Sequence, residues 1–273
     1  MIKSISQWAF EKERPLDEVF KMAREHGFDA VEVAIDKIGE ITPDTTEAEC
    51  ARIVESAKSA GVQLSSLASG LGWQNPMTTS DETARAEATE LVAASLRAAK
   101  YLGVDAILCV PGFVGVDFAP GFARHSYDEA YNNALKSIIE LAPLAKETGV
   151  TIGIENVWNK FLLSPLEMRD FIDKVGGGAG CYFDVGNVLL TGYPDQWIHI
   201  LGERITRIHF KDFKNSVGTI DGFCDLLDGD VDYPAVMNAL REVGYDGFVT
   251  AEFFGVEQDL AKISTAMDKI LAM

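Results

Sequence analysis

The sequence predicts an α/β protein whose strands close into a single (β/α)8 TIM barrel over residues 1–273. Short apolar segments suited to strands recur eight times, and stretches with the periodicity of amphipathic helices separate them. The length also matches the roughly 250 residues that one such barrel needs. A doubly wound open sheet is the alternative, but eight successive units favour closure. The predicted strands are residues 2–5, 30–34, 62–67, 106–110, 151–155, 181–184, 205–209 and 248–252.

A glycine ends several of the predicted helices and precedes the next strand. These glycines are Gly27, Gly61, Gly103, Gly149 and Gly244. In the first unit, the apolar face of the helix consists of Leu16, Val19, Phe20 and Ala23. The helix before the sixth strand begins with Ser164-Pro165-Leu166-Glu167, in which serine can act as N-cap and glutamate can complete a capping box. The chain therefore repeats one unit of helix, glycine and strand.

Long connections follow the third, fourth and seventh predicted strands. They comprise residues 68–79, 111–126 and 213–232. All three leave the C-terminal ends of strands, where barrel enzymes hold their active sites, so we expect them to supply substrate contacts. The glycine-rich run 176–180 lies between a helix and a strand, the reverse of the order that aims a helix N-terminus at phosphate. We interpret that run as a simple connection.

Composition excludes several classes of partner. The formal net charge of −18 repels polyanions, so we expect no binding to nucleic acid. No apolar run is long enough to span a membrane, and the first residues lack the pattern of a secretory signal, which predicts a cytoplasmic protein without a membrane partner. Four widely spaced cysteines without a Cys-x-x-Cys motif are expected to be reduced thiols.

Four acidic or imidazole residues occupy corresponding positions at the ends of the last four predicted strands. They are Glu155, Asp184, His209 and Glu252. Each one alone is readily explained as a cap or a salt-bridge member, but a charge in such an apolar segment is costly, and four together indicate a shared partner. Alternation of side chains along strands lets all four point into the barrel mouth. This oxygen-rich set with one nitrogen predicts one divalent metal ion, with Mn²⁺ preferred and Mg²⁺ or Co²⁺ as alternatives.

Each of these four residues lies in a longer motif. The motifs are Glu155-Asn156-Val157-Trp158-Asn159-Lys160, Phe183-Asp184-Val185-Gly186-Asn187, His209-Phe210-Lys211-Asp212 and Thr250-Ala251-Glu252. They resemble the signatures of the xylose isomerase-like superfamily of sugar and sugar-phosphate isomerases and epimerases, over essentially the whole chain. The chain is most similar to the ketose 3-epimerases of the D-tagatose 3-epimerase type and to the L-xylulose-5-phosphate 3-epimerases.

The resemblance implies that the four residues bind the metal and that Glu155 and Glu252 are also the catalytic acid/base pair. It implies an isomerase of carbohydrate metabolism that moves a proton beside a metal-bound ketone, through an enediolate. Inversion of one carbon would be epimerisation, whereas transfer between neighbouring carbons would interconvert an aldose and a ketose. The expected partner is a small sugar or sugar phosphate, and a homodimer or homotetramer is expected.

Some positions depart from the tagatose-type pattern. Asn187 stands where those enzymes carry a substrate-binding histidine, and Asn215 stands where they carry an arginine. Because an amide can donate or accept a hydrogen bond toward a sugar hydroxyl, Asn187 remains a predicted substrate ligand. The contacts to the sugar are therefore expected to differ from those of free-ketose epimerases.

Further candidates follow the ligand-bearing strands. Lys160 and Lys211 could bind a phosphate or carboxylate, although loop lysines are usually solvated. Trp8 and Trp158 could form a wall for the sugar or could serve packing alone. Glu32, in the second strand, could be a carboxylate behind the metal ligands or a salt-bridge partner inside the barrel.

Three other functions are compatible with the fold. A dehydratase or lyase acting on a keto-inositol or an oxidised sugar is the nearest, because the same enediolate can expel a β-hydroxyl group. An apurinic endonuclease would need more histidines and a basic face, which four histidines and the net charge of −18 disfavour. A non-catalytic carbohydrate-binding protein would not need the glutamate pair.

Overall fold

The computed structural model describes all 273 residues and confirms the predicted fold class. Eight parallel strands form a closed barrel, and a helix follows each strand on the outside. The strands of the barrel are β1 (Ile2–Ser6), β2 (Ala30–Ile35), β3 (Gln63–Ser69), β4 (Ala106–Cys109), β5 (Thr151–Glu155), β6 (Ala179–Asp184), β7 (Ile205–Phe210) and β10 (Phe248–Ala251). Each overlaps one predicted strand. The order β1-β10-β7-β6-β5-β4-β3-β2 places β10 beside β1 and closes the sheet.

The helices form the outer layer. They are α1 (Leu16–Glu25), α2 (Glu47–Ala60), α3 (Glu82–Leu102), α4 (Tyr127–Thr148), α5 (Pro165–Val175), α6 (Pro194–Leu201), α7 (Tyr233–Glu242) and α8 (Leu260–Leu271). Their inner faces pack on the outward side chains of the barrel in one contiguous apolar core. The predicted apolar face of α1 is buried in this core. None of the helices has both the length and the apolar composition required to cross a membrane.

The ends of the helices agree with the sequence patterns, with one exception. All five predicted terminal glycines have φ between 71° and 80°. At the start of α5, Ser164 Oγ accepts a hydrogen bond from the Glu167 N–H at 3.2 Å. The reciprocal half of the predicted capping box is wrong, because the Glu167 carboxylate accepts from the Leu163 N–H at 2.9 Å and from the Tyr127 hydroxyl at 2.7 Å. These two donors hold the carboxylate away from the Ser164 N–H.

The three long connections lie at the C-terminal mouth of the barrel. The third contains a two-stranded antiparallel hairpin, β8 (Asp212–Phe213) and β9 (Phe223–Cys224). The fully buried Asp212 carboxylate organises this segment by accepting hydrogen bonds from several main-chain N–H groups. The donors are Phe213, Leu227, Gly229 and Val231. One carboxylate thereby fixes the hairpin over the mouth.

Close packing inside the barrel depends on a missing side chain at Gly153. A Cβ atom there would lie 2.8 Å from the Ile107 carbonyl oxygen and 3.0 Å from Tyr182 Cδ2. Carbon atoms do not approach neighbours this closely without displacement, so the absence of a Cβ leaves room for the Tyr182 ring.

We expect Gly153→Ala to lower the free energy of unfolding by about 1–3 kcal/mol, because the added methyl group overpacks the barrel interior. The matched control is Gly70→Ala, since Gly70 has φ of −88° and open space at the Cβ position. Thermal and urea unfolding of both variants would measure the difference. Equal stability of the two variants would contradict this account of the packing.

Candidate active site

The structure brings together the four strand-end residues that the sequence singled out. Glu155 ends β5, Asp184 ends β6, His209 lies in β7, and Glu252 directly follows β10. These four strands are neighbours in the barrel, in the order β10-β7-β6-β5. All four side chains are buried, and one ligand atom from each lies within 4.8 Å of the others. The barrel therefore gathers one nitrogen and three carboxylate oxygens at a single point.

The chemistry of these atoms fits a divalent cation. Asp184 Oδ2, His209 Nδ1 and Glu252 Oε2 are all buried without a hydrogen-bond partner. Buried polar atoms in folded proteins are nearly always hydrogen-bonded, so three converging ligand atoms without hydrogen bonds require an explanation. A cation bound between them would satisfy all three. Oxygen-rich ligand sets with one imidazole suit manganese, magnesium or cobalt.

The close approach of the carboxylates changes their acidity. Burial and then repulsion by Glu252 raise the pKa of Glu155 well above its ordinary value. Burial likewise raises the pKa of Asp184. Burial alone would also raise the pKa of Glu252, but Lys211 and His209 outweigh it and lower that pKa. The pair of glutamates thus has unequal acidities, set by the charges beside each one.

His209 is oriented by Glu32, which the sequence left open between two roles. His209 Nε2 lies 3.1 Å from both carboxylate oxygens of Glu32, and both residues are fully buried. Glu32 in turn accepts hydrogen bonds from the Ser66 hydroxyl at 3.0 Å and from the Tyr182 hydroxyl. Because a carboxylate only accepts, the proton of the neutral imidazole belongs on Nε2. Nδ1, which lies 3.4 Å from Glu252 Oε2, is then left free to bind a cation.

Asn156 positions Asp184 by pairing with its main chain. The Asn156 amide donates to the Asp184 carbonyl at 2.8 Å and accepts from the Asp184 N–H at 2.8 Å. The main-chain N–H of Asn187 donates a hydrogen bond to Asp184 Oδ1 at 2.8 Å, while the side-chain amide nitrogen of Asn187 lies 3.5 Å from Glu155 Oε1. The sequence analysis missed the role of Asn156, for which the only signal was its place directly after Glu155.

Lys211 enters the centre of the carboxylate cluster. Its ammonium group lies 3.3 Å from Asp184 Oδ2 and forms an ion pair with Glu252, although neither contact has hydrogen-bond geometry. Burial lowers the pKa of Lys211, but the three carboxylates reverse this effect and raise it, so the group stays charged. The ammonium also lies 5.0 Å from the centre of the Phe223 ring.

A cavity of about 1000 Å³ opens above this cluster. Four of the predicted substrate-binding residues line it together with Glu155 and Glu252: Trp8, Trp158, Asn187 and Lys211. The fifth, Lys160, does not line this cavity; it lies in an adjacent cavity and pairs with Asp117 at 2.5 Å. Lys160 has a positive φ of 54°, and the turn that contains it places its side chain at the adjacent cavity.

Aromatic rings form much of the cavity wall. Trp8 stacks on Phe254 with a centroid distance of 5.7 Å. The Trp158 ring packs on Phe223, and its indole N–H donates to the Asn187 carbonyl at 2.9 Å. Sequence reasoning missed the phenylalanines because nothing local distinguishes an aromatic loop residue that covers a site from one that packs elsewhere.

Known proteins share this architecture. The family model described as xylose isomerase-like TIM barrel matches residues 20–272. The uncharacterized protein MJ1311 of Methanocaldococcus jannaschii is 23% identical over 179 residues, which span 63% of this chain and 58% of that protein. L-ribulose-5-phosphate 3-epimerase UlaE of Escherichia coli is 24% identical over 287 residues, covering 99% of this chain and 95% of that enzyme.

Among solved structures, D-psicose 3-epimerase with D-tagatose from Clostridium cellulolyticum H10 has a TM-score of 0.83 at 17% identity, over 99% of both chains. At this identity the likeness supports the fold alone. The family model, by contrast, extends over nearly the whole sequence and agrees with the resemblance found in the motifs. The chain therefore belongs to the xylose isomerase-like TIM barrel family.

Proposed function

We propose that this protein is a metal-dependent carbohydrate isomerase that epimerises a ketose or a closely related keto sugar. The observation that carries the proposal is the convergence of Glu155 and Glu252, with Asp184 and His209 between them, at the floor of a cavity large enough for a sugar. The enzyme class agrees with the name of a relative that matches this chain over nearly its full length, a ketose-phosphate 3-epimerase.

The chemistry follows from which groups can hold a proton. Glu155, Asp184, His209 and Glu252 would hold one divalent cation, Mn²⁺ in first place, which would polarise a ketone and stabilise negative charge on its oxygen. One glutamate removes the proton from the carbon beside that ketone, and the other returns a proton to the opposite face. The two carboxylates come from β5 and from the end of β10, which are separated in the barrel by β6 and β7. Such a pair can address a sugar from two sides.

The remaining predicted contacts have roles that fit the same geometry. Lys211 and Asn187 would bind oxygen atoms of the sugar, because both polar groups face the cavity beside Glu155 and Glu252. Trp8 and Trp158 would pack against the sugar's apolar faces. We propose a cytoplasmic small-molecule enzyme that acts as a homodimer or homotetramer.

Proton NMR of the Mn²⁺-loaded protein with D-psicose, D-tagatose or L-ribulose 5-phosphate in D₂O tests the reaction. We expect deuterium to appear at the carbon beside the ketone together with inversion of that carbon, because the proton exchanges with solvent while it resides on a glutamate. A product derived from loss of a β-hydroxyl group would instead identify a dehydratase. Transfer of the proton between neighbouring carbons, with conversion of the ketose to an aldose, would identify an aldose–ketose isomerase.

Glu155→Gln and Glu252→Gln should each reduce kcat by at least about 10³-fold, since an amide cannot exchange a proton with carbon. Glu13→Gln, which changes an exposed glutamate that lines neither cavity, is the matched control. Manganese content measured on each variant separates loss of proton transfer from loss of the cation. Normal turnover by metal-loaded Glu252→Gln would remove Glu252 from the acid/base pair.

Glu32→Gln should weaken Mn²⁺ binding by about 10–100-fold, because the carboxylate that orients His209 and increases its basicity is lost. Calorimetric titration with Mn²⁺ measures this without any assay of turnover, and Glu25→Gln on the exposed side of α1 is the control. Unchanged affinity in Glu32→Gln would show that His209 needs no such support.

Mn²⁺ binding by the unaltered protein should also weaken as the pH falls, and the same titration measures this. Because the pKa of Glu155 is raised, a proton on its carboxylate begins to compete with the cation at a higher pH than it would on an ordinary glutamate.

A further inference from the structure

A second cavity adjoins the one above the carboxylate cluster. Its volume is about 550 Å³, and the segments that follow β4, β5, β6 and β7 line it. Several residues line both cavities: Phe118, Val157, Trp158, Asn187 and Ile220. The Trp158 indole, which donates a hydrogen bond to the Asn187 carbonyl, lies where the two cavities meet. The two cavities are therefore neighbouring compartments of one larger cleft.

Part of the wall of the second cavity is a turn that hydrogen bonds hold in place. Lys160 and Leu162 both have positive φ, 54° and 53°, which costs free energy for residues other than glycine. Asn159 holds the turn: its buried amide donates to the Gly112 carbonyl at 2.8 Å and accepts from the Phe161 N–H at 3.0 Å. A conformation that costs energy and is fixed by a buried side chain indicates a compartment that exists before any ligand binds.

The second cavity is mainly apolar. Its apolar lining includes Phe161, Leu162, Leu163, Val188, Leu190 and Trp197. Its single lysine, Lys160, is already paired with Asp117, which is also its single carboxylate. Leu163 and Leu190 in this lining are 50% and 43% exposed, so they present apolar surface to solvent. This surface would gain most from contact with an apolar group.

The two cavities offer a phosphate group only one lysine without an ion pair, Lys214. Phosphate is usually bound by arginine, by free lysine or by a helix N-terminus. No arginine lines either cavity. Outside the metal cluster, the first cavity has three carboxylates, Asp36, Asp225 and Asp228, against one lysine, Lys214. Lys211 is held by Glu252 and Asp184. A dianionic group outside the metal cluster would therefore meet more negative than positive charge.

We infer that the substrate is an unphosphorylated keto sugar linked to an apolar or aromatic group, with the sugar above Glu155 and Glu252 and the apolar group in the second cavity. The inference rests on the proposed function for the sugar end only. The combined volume supports it, because a single monosaccharide would fill a small part of a cleft of this size. Trp158, which lines both compartments, would pack against the linkage between the two parts.

Calorimetric titration of the full-length, Mn²⁺-supplemented protein with unreactive probes tests the inference. The probes are matched phenyl and methyl β-glycosides of glucose, galactose and xylose. In at least one pair, the phenyl glycoside should bind about tenfold more tightly than the methyl glycoside, because the ring leaves water for the apolar cavity. Leu190→Asp should abolish this preference without changing methyl glycoside binding. The control is Leu166→Asp, a similarly exposed leucine that lines neither cavity.

Equal binding within all three pairs, or no binding of any probe, would overturn the inference. Dissociation of an oligomer by Leu190→Asp, with no preference among the glycosides, would also overturn it, by showing that a second copy of the chain covers the cavity. These outcomes are separate from the proposed function. Turnover of free ketoses without a phenyl preference would contradict only the extended substrate, and a phenyl preference without turnover of any ketose would contradict only the epimerase.

Discussion

Hydrogen bonding between β1 and β10 closes the sheet, and this closure places every strand end on one ring. An open sheet would spread the ends of four neighbouring strands along a line, whereas the curvature of the barrel turns their side chains toward a common point. Asp184 and His209 even occupy paired positions of β6 and β7. The crowding of three carboxylates is thus a consequence of the fold, and the cluster needs positive charge beside it to remain buried.

A layer of buried side chains beneath the cluster fixes the orientation of the His209 imidazole. Below the ligand atoms lies Glu32, which binds His209 and is itself held by Ser66 and Tyr182. Each of these side chains is fully buried, so each hydrogen bond replaces one that water would otherwise supply. Gly153 makes room for the Tyr182 ring in the same layer. The orientation of the imidazole therefore depends on residues from four different strands.

The loops above the barrel add a different kind of surface. Aromatic residues surround an acidic floor, and the Asp212 carboxylate fixes the hairpin that carries Phe223 toward Lys211. This combination favours a ligand with hydroxyl groups at one end and apolar surface elsewhere. The strained turn at Lys160 and Leu162 extends the same surface sideways into the second cavity. The strands supply the charged residues at the bottom of the cleft, and the loops determine how far the cleft extends. The chemistry and the size of the substrate are therefore specified by separate parts of the chain.

The sequence alone determined the barrel, the places of its eight strands and the four converging residues, because burial and alternation are local patterns that repeat along the chain. It also ranked Lys160 and Lys211 equally, and only the tertiary structure separated them. Lys211 lies two residues after His209 and so points to the same side of the chain, into the cluster. Lys160 lies in a left-handed turn that directs it to Asp117. The partnership of Glu32 with His209 joins residues 177 positions apart. Such contacts depend on the closed barrel, and no local pattern in the sequence encodes them.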